Sequence, residues 1–144
     1  MVSGIGVDIV SIVDMSGALK RFGSRLKNRL FTEAEQQICE EKHTPAVHYS
    51  GKFAAKESFL KALQRENRGG IRWREMEVLN SPGGQPYFRF SGTAGKALEE
   101  NGLCASVSLS HSGEYAIAFC LIQKDKKGHC EERSLYGSPI QCSG

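Results

Sequence analysis

The longest helical pattern of this chain covers residues 46–63 and includes the sequence YSGKFAAKESFLKAL. Phe53, Phe59 and Leu63 supply its apolar contacts, and its alanines are strong helix formers. The polar turn QRENRGG follows, and beyond it short runs of apolar and polar residues alternate. A period of two residues is typical of strands rather than of helices. The sequence therefore predicts a mainly helical first half and antiparallel β-structure in the second half.

The first half is predicted to contain one strand and three helices. Its β-branched residues predict the strand over residues 2–13, and an apolar stripe predicts the first helix over residues 15–30. Gly23 weakens this helix without having to end it. Thr32 and Glu35 form a capping-box pattern, which predicts the start of the second helix.

The 144 residues suit a single domain. A short helix that ends at Gly102 is predicted in the second half. Ser112 and Gly113 fit the turn of a last hairpin. Strands are predicted over residues 71–79, 87–90, 105–111 and 114–122. From residue 124 to residue 144 the sequence is polar and aperiodic, which predicts a flexible tail after a domain of residues 1–123.

Composition narrows the class of protein. The formal net charge of +3 is too small to indicate a nucleic-acid binder by itself. No apolar run approaches the roughly 18 residues of a membrane-spanning helix, and the N-terminal run lacks the basic segment of a signal peptide. The five cysteines are odd in number and form no C-x-x-C pair, which disfavours a zinc site or a disulfide framework. We expect a protein of the reducing cytoplasm that has no membrane partner.

Asp8 interrupts the apolar run GIGVDIV. A buried carboxylate needs a partner, and the sequence leaves open whether the partner is an arginine, a backbone turn or a metal ion. Glu57 and Lys61 are four residues apart and share one helix face. They form either a surface ion pair or a metal-binding carboxylate beside a phosphate-binding ammonium. Because Mg²⁺ is often held by one or two carboxylates, Asp8 and Glu57 are candidate metal ligands.

Ser110 and His111 belong to a polar cluster, SLSHSGEYA, at the end of a predicted strand. A serine nucleophile activated by this histidine has weak support, because the chain has no G-x-S-x-G elbow. The hydroxyl and the imidazole are alternatively suited to binding a phosphate. A histidine that only bonds to a turn is the third interpretation.

The predicted helix over residues 15–30 has a basic face. Its cations are Lys20, Arg21, Arg25, Lys27 and Arg29, and no acidic residue lies between Asp14 and Glu33. A surface of one sign attracts an acidic partner, either a nucleic acid or a protein. No aromatic residue interleaves with these cations on the basic face, which argues against stacking on a single-stranded nucleic acid.

Five segments occur in the order and spacing of a known family: GIGVDIV, FTEAE, KFAAKESFLKAL, GGQPYFRFSG and SVSLSHSGEYAIA. Over residues 2–123 the chain resembles the holo-[acyl-carrier-protein] synthases, the small single-repeat 4'-phosphopantetheinyl transferases. The resemblance implies an α+β fold, with an antiparallel sheet packed with helices, and a homotrimer with active sites at the subunit interfaces. It also implies Mg²⁺-dependent transfer of phosphopantetheine from coenzyme A to a serine of an acidic apo acyl carrier protein, with adenosine 3',5'-bisphosphate released and no nucleic-acid partner.

The resemblance also implies a role for each candidate residue. Asp8, Glu57 and Lys61 form the catalytic set, with the two carboxylates as metal ligands and the lysine near the pyrophosphate. Coenzyme A is expected to meet Lys52, Lys56, Lys61, Ser110 and His111, and the carrier protein to meet Arg21 and Arg25. Either Glu57 or a metal-bound water would take the serine proton. Glu35 matches a family glutamate, although its capping box already explains it. The chain departs from the family at QRENRGG, where a compact glycine turn is usual.

Overall fold

The computed structural model describes residues 1–125. Its elements are β1 (Val2–Ser11), α1 (Ile12–Phe22), α2 (Ser24–Leu30), α3 (Glu33–Glu40), α4 (Pro45–Ala62), β2 (Met76–Asn80), β3 (Pro86–Phe90), α5 (Gly92–Glu100), β4 (Leu103–Ser112) and β5 (Tyr115–Lys124). Short 3-10 turns at Arg65–Asn67 and Trp73–Glu75 lie between α4 and β2. Apart from Lys124 and Asp125, the predicted tail lies outside the described residues.

Two antiparallel sheets make up the β-structure, so the predicted α+β fold is confirmed. The larger sheet has the strand order β1-β5-β4, and the smaller one pairs β2 with β3. Helix α4 packs across β1 and β5 of the larger sheet. Alternate residues of β5 show which face it covers: Ala116, Ala118 and Ile122 are buried, whereas Ile117 and Phe119 are exposed.

Two glycines allow α4 to lie directly on β1. A Cβ atom at Gly4 would stand 1.9 Å from the carbonyl oxygen of Ala62, and one at Gly6 would stand 1.9 Å from that of Ser58. Non-bonded atoms do not fit at that distance, so both positions need glycine. These glycines therefore admit the close approach of another backbone. Asp8 is the next residue on the same strand face, so this contact also fixes the carboxylate relative to α4.

The single helix predicted over residues 15–30 is wrong, because the chain forms α1 and α2 there. Gly23 separates them with a φ of 58°, a left-handed conformation that glycine adopts at little cost. The first strand also ends at Ser11, two residues earlier than predicted. The Ser11 hydroxyl accepts a hydrogen bond from the Asp14 amide at 3.2 Å and thereby caps α1.

The strand predicted over residues 71–79 begins only at Met76. Trp73–Glu75 forms a 3-10 turn instead, and the Glu75 carboxylate accepts a hydrogen bond from the Ala94 amide at 3.1 Å in the first turn of α5. The irregularity that the sequence shows near Glu75 therefore marks the entry to β2. The last hairpin turns at Gly113 and Glu114, one residue later than predicted.

The cysteines only partly follow the expectation. Cys39 and Cys120 are buried free thiols, and burial raises the pKa of each to about 12, so both are unreactive. Cys104 is disulfide-bonded, which the cysteine spacing did not predict. None of the helices within residues 1–125 is long and apolar enough to cross a membrane. The cytoplasmic location stays a prediction.

Candidate active site

Asp8 lies on the face of β1 that α4 covers. Its Oδ1 atom is 2.8 Å from Nζ of Lys61, which also donates a hydrogen bond to the Val7 carbonyl at 3.3 Å. The Asp8 side chain is 15% exposed, whereas the Lys61 side chain is 53% exposed. The side chain that pairs with Asp8 is therefore a lysine of α4, and not the arginine that the sequence left open.

Glu57 lies one helical turn before Lys61 on α4. Partial burial raises the pKa of the Glu57 carboxyl, the negative charge of Asp8 raises it further, and Lys61 lowers it. The tertiary structure thus brings the three predicted catalytic residues together. Because two neighbouring carboxylates disfavour each other's charge, this arrangement is suited to a cation between them.

The donor set of Asp8 and Glu57 fits a hard divalent cation. Magnesium is commonly held by one or two carboxylates, while waters and substrate phosphates fill its remaining positions. Residues 1–125 contain no group of three or more histidine, cysteine or acidic side chains that are placed to hold a metal. The carboxylate pair is therefore suited to Mg²⁺ and not to a closed structural site, which uses four protein ligands.

A cleft of about 590 Å³ lies between α4, β3 and β4. Its lining includes three of the predicted coenzyme residues, namely Lys52 of α4 and Ser110 and His111 of β4. Lys52 is buried, and its Nζ donates a hydrogen bond to the Val78 carbonyl at 2.6 Å. The cleft lining includes none of the three predicted catalytic residues, Asp8, Glu57 and Lys61. Within one chain, the predicted site is therefore divided into two parts.

His48 and Lys42 also line the cleft, and the sequence analysis missed both. Burial lowers the pKa of His48, and the positive charges of Lys42, His111 and Lys52 lower it further. A signal for His48 was present, since it stands four residues before Lys52 and so shares a face of α4 with it.

The predicted phosphate-binding role of Lys56 needs correction. This side chain is fully buried, and its Nζ donates hydrogen bonds to the Leu30 carbonyl at 2.6 Å, the Glu35 carboxylate at 2.7 Å and the Trp73 carbonyl at 3.1 Å. An ammonium has only three N–H donors, so none remains for a phosphate. Lys56 is instead half of a buried ion pair that ties α3 to α4.

Glu35 does more than cap α3. Its Oε1 atom accepts hydrogen bonds from the Thr32 amide at 2.9 Å and from Lys56. Its Oε2 atom accepts a hydrogen bond from the Val78 amide of β2 at 3.0 Å. The capping box predicted from the sequence is confirmed, but the same carboxylate also joins α3 to α4 and β2.

Arg21 and Arg25 are both exposed, but they stand on different helices because the chain turns at Gly23. The Arg21 guanidinium lies 5.3 Å from the centre of the Phe22 ring, which is itself exposed. Val13 of α1 is exposed as well. The surface of α1 and α2 therefore combines positive charge with apolar side chains, both of which a protein partner can use.

The sequence model of the 4'-phosphopantetheinyl transferase superfamily matches residues 4–120. This chain belongs to that superfamily. A holo-[acyl-carrier-protein] synthase of Geotalea daltonii is 40% identical over 125 residues, which are 86% of this chain and 100% of the relative. The crystal structure of the Neisseria meningitidis synthase is 29% identical, with a TM-score of 0.76 over 86% of this chain and 100% of that chain. A structure described as the ACPS–CoA complex of Chronobacterium ammoniagenes is 29% identical, with a TM-score of 0.71 over 85% of this chain and 98% of that chain. The family predicted from the sequence is confirmed.

Proposed function

We propose that this transferase moves 4'-phosphopantetheine from coenzyme A to a serine hydroxyl of apo acyl carrier protein and releases adenosine 3',5'-bisphosphate. The observation that carries the proposal is the meeting of Asp8, Glu57 and Lys61 at the junction of β1 and α4 in a member of this superfamily. In the reaction the serine oxygen bonds to the phosphorus next to pantetheine. The bond from that phosphorus to the bridging pyrophosphate oxygen breaks, and adenosine 3',5'-bisphosphate leaves with the bonding electron pair. The serine proton passes to Glu57 or to water.

Asp8 and Glu57 are the residues that would hold Mg²⁺. The bound ion supplies neutralisation of negative charge on the pyrophosphate. Lys61 adds a positive charge from the protein itself. Its bond to Asp8 raises the pKa of the ammonium, which therefore stays charged at neutral pH. Its 53% exposed side chain retains an N–H group for a phosphate oxygen.

The nucleotide end of coenzyme A is proposed to lie in the cleft lined by Lys52, Ser110 and His111. The volume of about 590 Å³ is typical of small-molecule sites. Because Asp8 and Lys61 do not line the cleft of the same chain, we propose a composite site. One subunit would contribute the cleft and its neighbour the carboxylates and the lysine.

An apolar patch on the outer face of the β1-β5-β4 sheet supports self-association. Ile5, Val7 and Ile9 of β1 and Ile117 and Phe119 of β5 are between 42% and 60% exposed. The strand register places Val7 opposite Phe119 and Ile9 opposite Ile117, so these side chains are contiguous. Exposed apolar patches of this kind mark protein contacts, and we propose that this one joins the subunits of a homotrimer.

The acidic carrier protein is proposed to dock on the basic surface of α1 and α2. Reversing both charges with Arg21→Glu and Arg25→Glu should raise the KM for the carrier about tenfold or more, because attraction becomes repulsion. The KM for coenzyme A should stay unchanged. The matched control is Lys96→Glu on α5, which is exposed elsewhere. An equal effect of the control and the double variant would exclude this docking surface.

Intact-mass spectrometry tests the reaction directly. The full chain is incubated with coenzyme A, Mg²⁺ and an apo acyl carrier protein, and the carrier should gain the mass of one phosphopantetheine. Asp8→Asn and Glu57→Gln should abolish the gain, whereas Glu100→Gln, an exposed change on α5, should not. A carrier that never gains mass, with a thermal stability of this protein that is indifferent to coenzyme A and Mg²⁺, would indicate a non-catalytic binding module instead.

A further inference from the structure

Cationic and basic side chains from several elements converge on the cleft between α4, β3 and β4. Lys42 precedes α4, His48 and Lys52 belong to α4, Arg89 belongs to β3 and His111 to β4. The remaining titratable groups of the lining are Glu41 and Tyr87. The cleft therefore has more positive charge than its single carboxylate can neutralise.

Two of these groups differ in how their charge is balanced. The Arg89 guanidinium pairs with the Glu77 carboxylate at 2.7 Å. Lys52 as a residue is 4% exposed, and within residues 1–125 its ammonium donates its hydrogen bond to the uncharged Val78 carbonyl. A buried ammonium without an anion in contact is costly to desolvate. An anionic ligand in the cleft would supply the missing negative charge.

We propose that His48 is a proton-linked receptor for a phosphomonoester in this cleft, and that its imidazole takes up a proton when the phosphate binds. The identity of the ligand as the 3'-phosphate of coenzyme A rests on the proposed function. The geometric support for the proposal is the half-buried position of His48 in the cleft wall, on the same face of α4 as Lys52. The neighbouring cationic and basic side chains disfavour a positive charge on His48 until an anion binds; they are Lys42, Lys52 and His111.

The sign of the linkage follows from the charges around His48. Burial and the cations Lys42, His111 and Lys52 hold the pKa of His48 below its usual range in the free protein. A bound phosphate dianion raises it, so between the free and the bound pKa each binding event takes up protons. Affinity for the phosphomonoester should therefore rise as the pH falls through the bound pKa and level off below the free pKa.

This linkage makes substrate discrimination depend on pH. Coenzyme A carries the 3'-phosphate, whereas 3'-dephospho-coenzyme A lacks it and gives His48 no dianion to meet. The affinity ratio of the two should increase as the pH is lowered from about 8.5 to about 6.5, a range above the phosphate's own second pKa of about 6. The increase should amount to at most about tenfold for each unit by which the phosphate raises the pKa of His48.

Isothermal titration calorimetry of the full chain with adenosine 3',5'-bisphosphate and Mg²⁺ tests the proposal. Measurements at neutral pH in two buffers of different ionisation enthalpy give the number of protons taken up. Wild type should take up a fraction of a proton, and His48→Gln should take up measurably less. The matched control, His43→Gln, changes an exposed histidine outside the cleft lining and should behave as wild type. Adenosine, which carries no phosphate, should show no uptake that depends on His48.

Equal proton uptake by wild type and by a folded His48→Gln would overturn the proposal, as would the absence of any binding of the bisphosphate. NMR titration of the His48 Cε1–H signal in wild type is the second measurement. An upward shift of its pKa on adding the bisphosphate supports the proposal, and an unchanged pKa overturns it. Phosphopantetheine transfer without linkage would refute the His48 role alone. Proton-linked binding of the bisphosphate without phosphopantetheine transfer would refute the proposed reaction and support the receptor role of His48.

Discussion

Replacing Lys56 with methionine distinguishes a structural lysine from a phosphate-binding one. The change removes the three hydrogen bonds to Leu30, Glu35 and Trp73 and leaves the Glu35 carboxylate without its cation. Glu35 is fully buried, so bulk water does not screen its charge. Removing one partner of a buried ion pair typically costs about 3–5 kcal/mol, and we expect a loss of that size in the free energy of unfolding.

Urea unfolding at neutral pH, followed by far-ultraviolet circular dichroism, measures this loss. Lys96→Met on α5 is the matched control, because surface substitutions usually change stability by less than about 0.5 kcal/mol. Adding Glu35→Gln to Lys56→Met removes the unpaired charge, so the double variant should be more stable than Lys56→Met alone. The resulting double-mutant cycle isolates the coupling between the two side chains.

The structural role of Lys56 would be refuted by two results together. One is an unfolding free energy for Lys56→Met equal to that of the Lys96→Met control. The other is a raised KM for coenzyme A in Lys56→Met, which would show that the ammonium meets a phosphate as the family resemblance implied.

Three further predictions test the fold, the site and the assembly. Gly6→Ala should lower the free energy of unfolding by at least about 1–3 kcal/mol, since its Cβ would overlap the Ser58 carbonyl. The control is Gly17→Ala, because nothing lies within 4 Å of a Cβ at Gly17. Equal stability of the two variants in urea unfolding would contradict the prediction. Glu57→Gln should abolish transfer yet stabilise the free protein at neutral pH. The pKa of Glu57 is raised in the folded protein, so wild type loses stability as the pH rises through that pKa. The stability gained by Glu57→Gln should therefore vanish below about pH 4. A variant less stable than wild type in thermal unfolding at neutral pH would count against this. Phe119→Asp places a charge in the apolar patch, so sedimentation should show a trimeric wild type and a smaller species for the variant; unchanged mass would argue against the patch.

Helix α4 shows which side-chain neighbours can be predicted from the spacing of residues along a sequence. Spacings of four residues correctly group Glu57 with Lys61, and they also relate His48 to Lys52, which the prediction overlooked, because the helix repeats every 3.6 residues. They do not tell which face is buried, since charged residues occur on both. The family resemblance implied that Lys56 meets a phosphate, although its partner Glu35 stands 21 residues earlier in the chain.

Other errors also arose where a distant contact decides the local structure. The Glu75 carboxylate bonds to the Ala94 amide, 19 residues away, and Trp73–Glu75 turns instead of extending. At Gly23 the sequence permits both a continuous helix and a break, because glycine costs a helix only about 1 kcal/mol. Packing of α1 and α2 on their neighbours selects the break.

The sequence by itself determined the family, the order of the elements apart from the helix break at Gly23, the capping box of α3 and the residue types of the carboxylate–lysine site. These features depend on local spacing and on motifs, which a linear sequence records directly. Only the tertiary structure decided that Lys61 pairs with Asp8, that Lys56 is buried and that His48 faces a cationic cleft. The physical reason is that burial and charge pairing depend on segments far apart in the chain, and their positions follow from the packing of α4 on the glycines of β1.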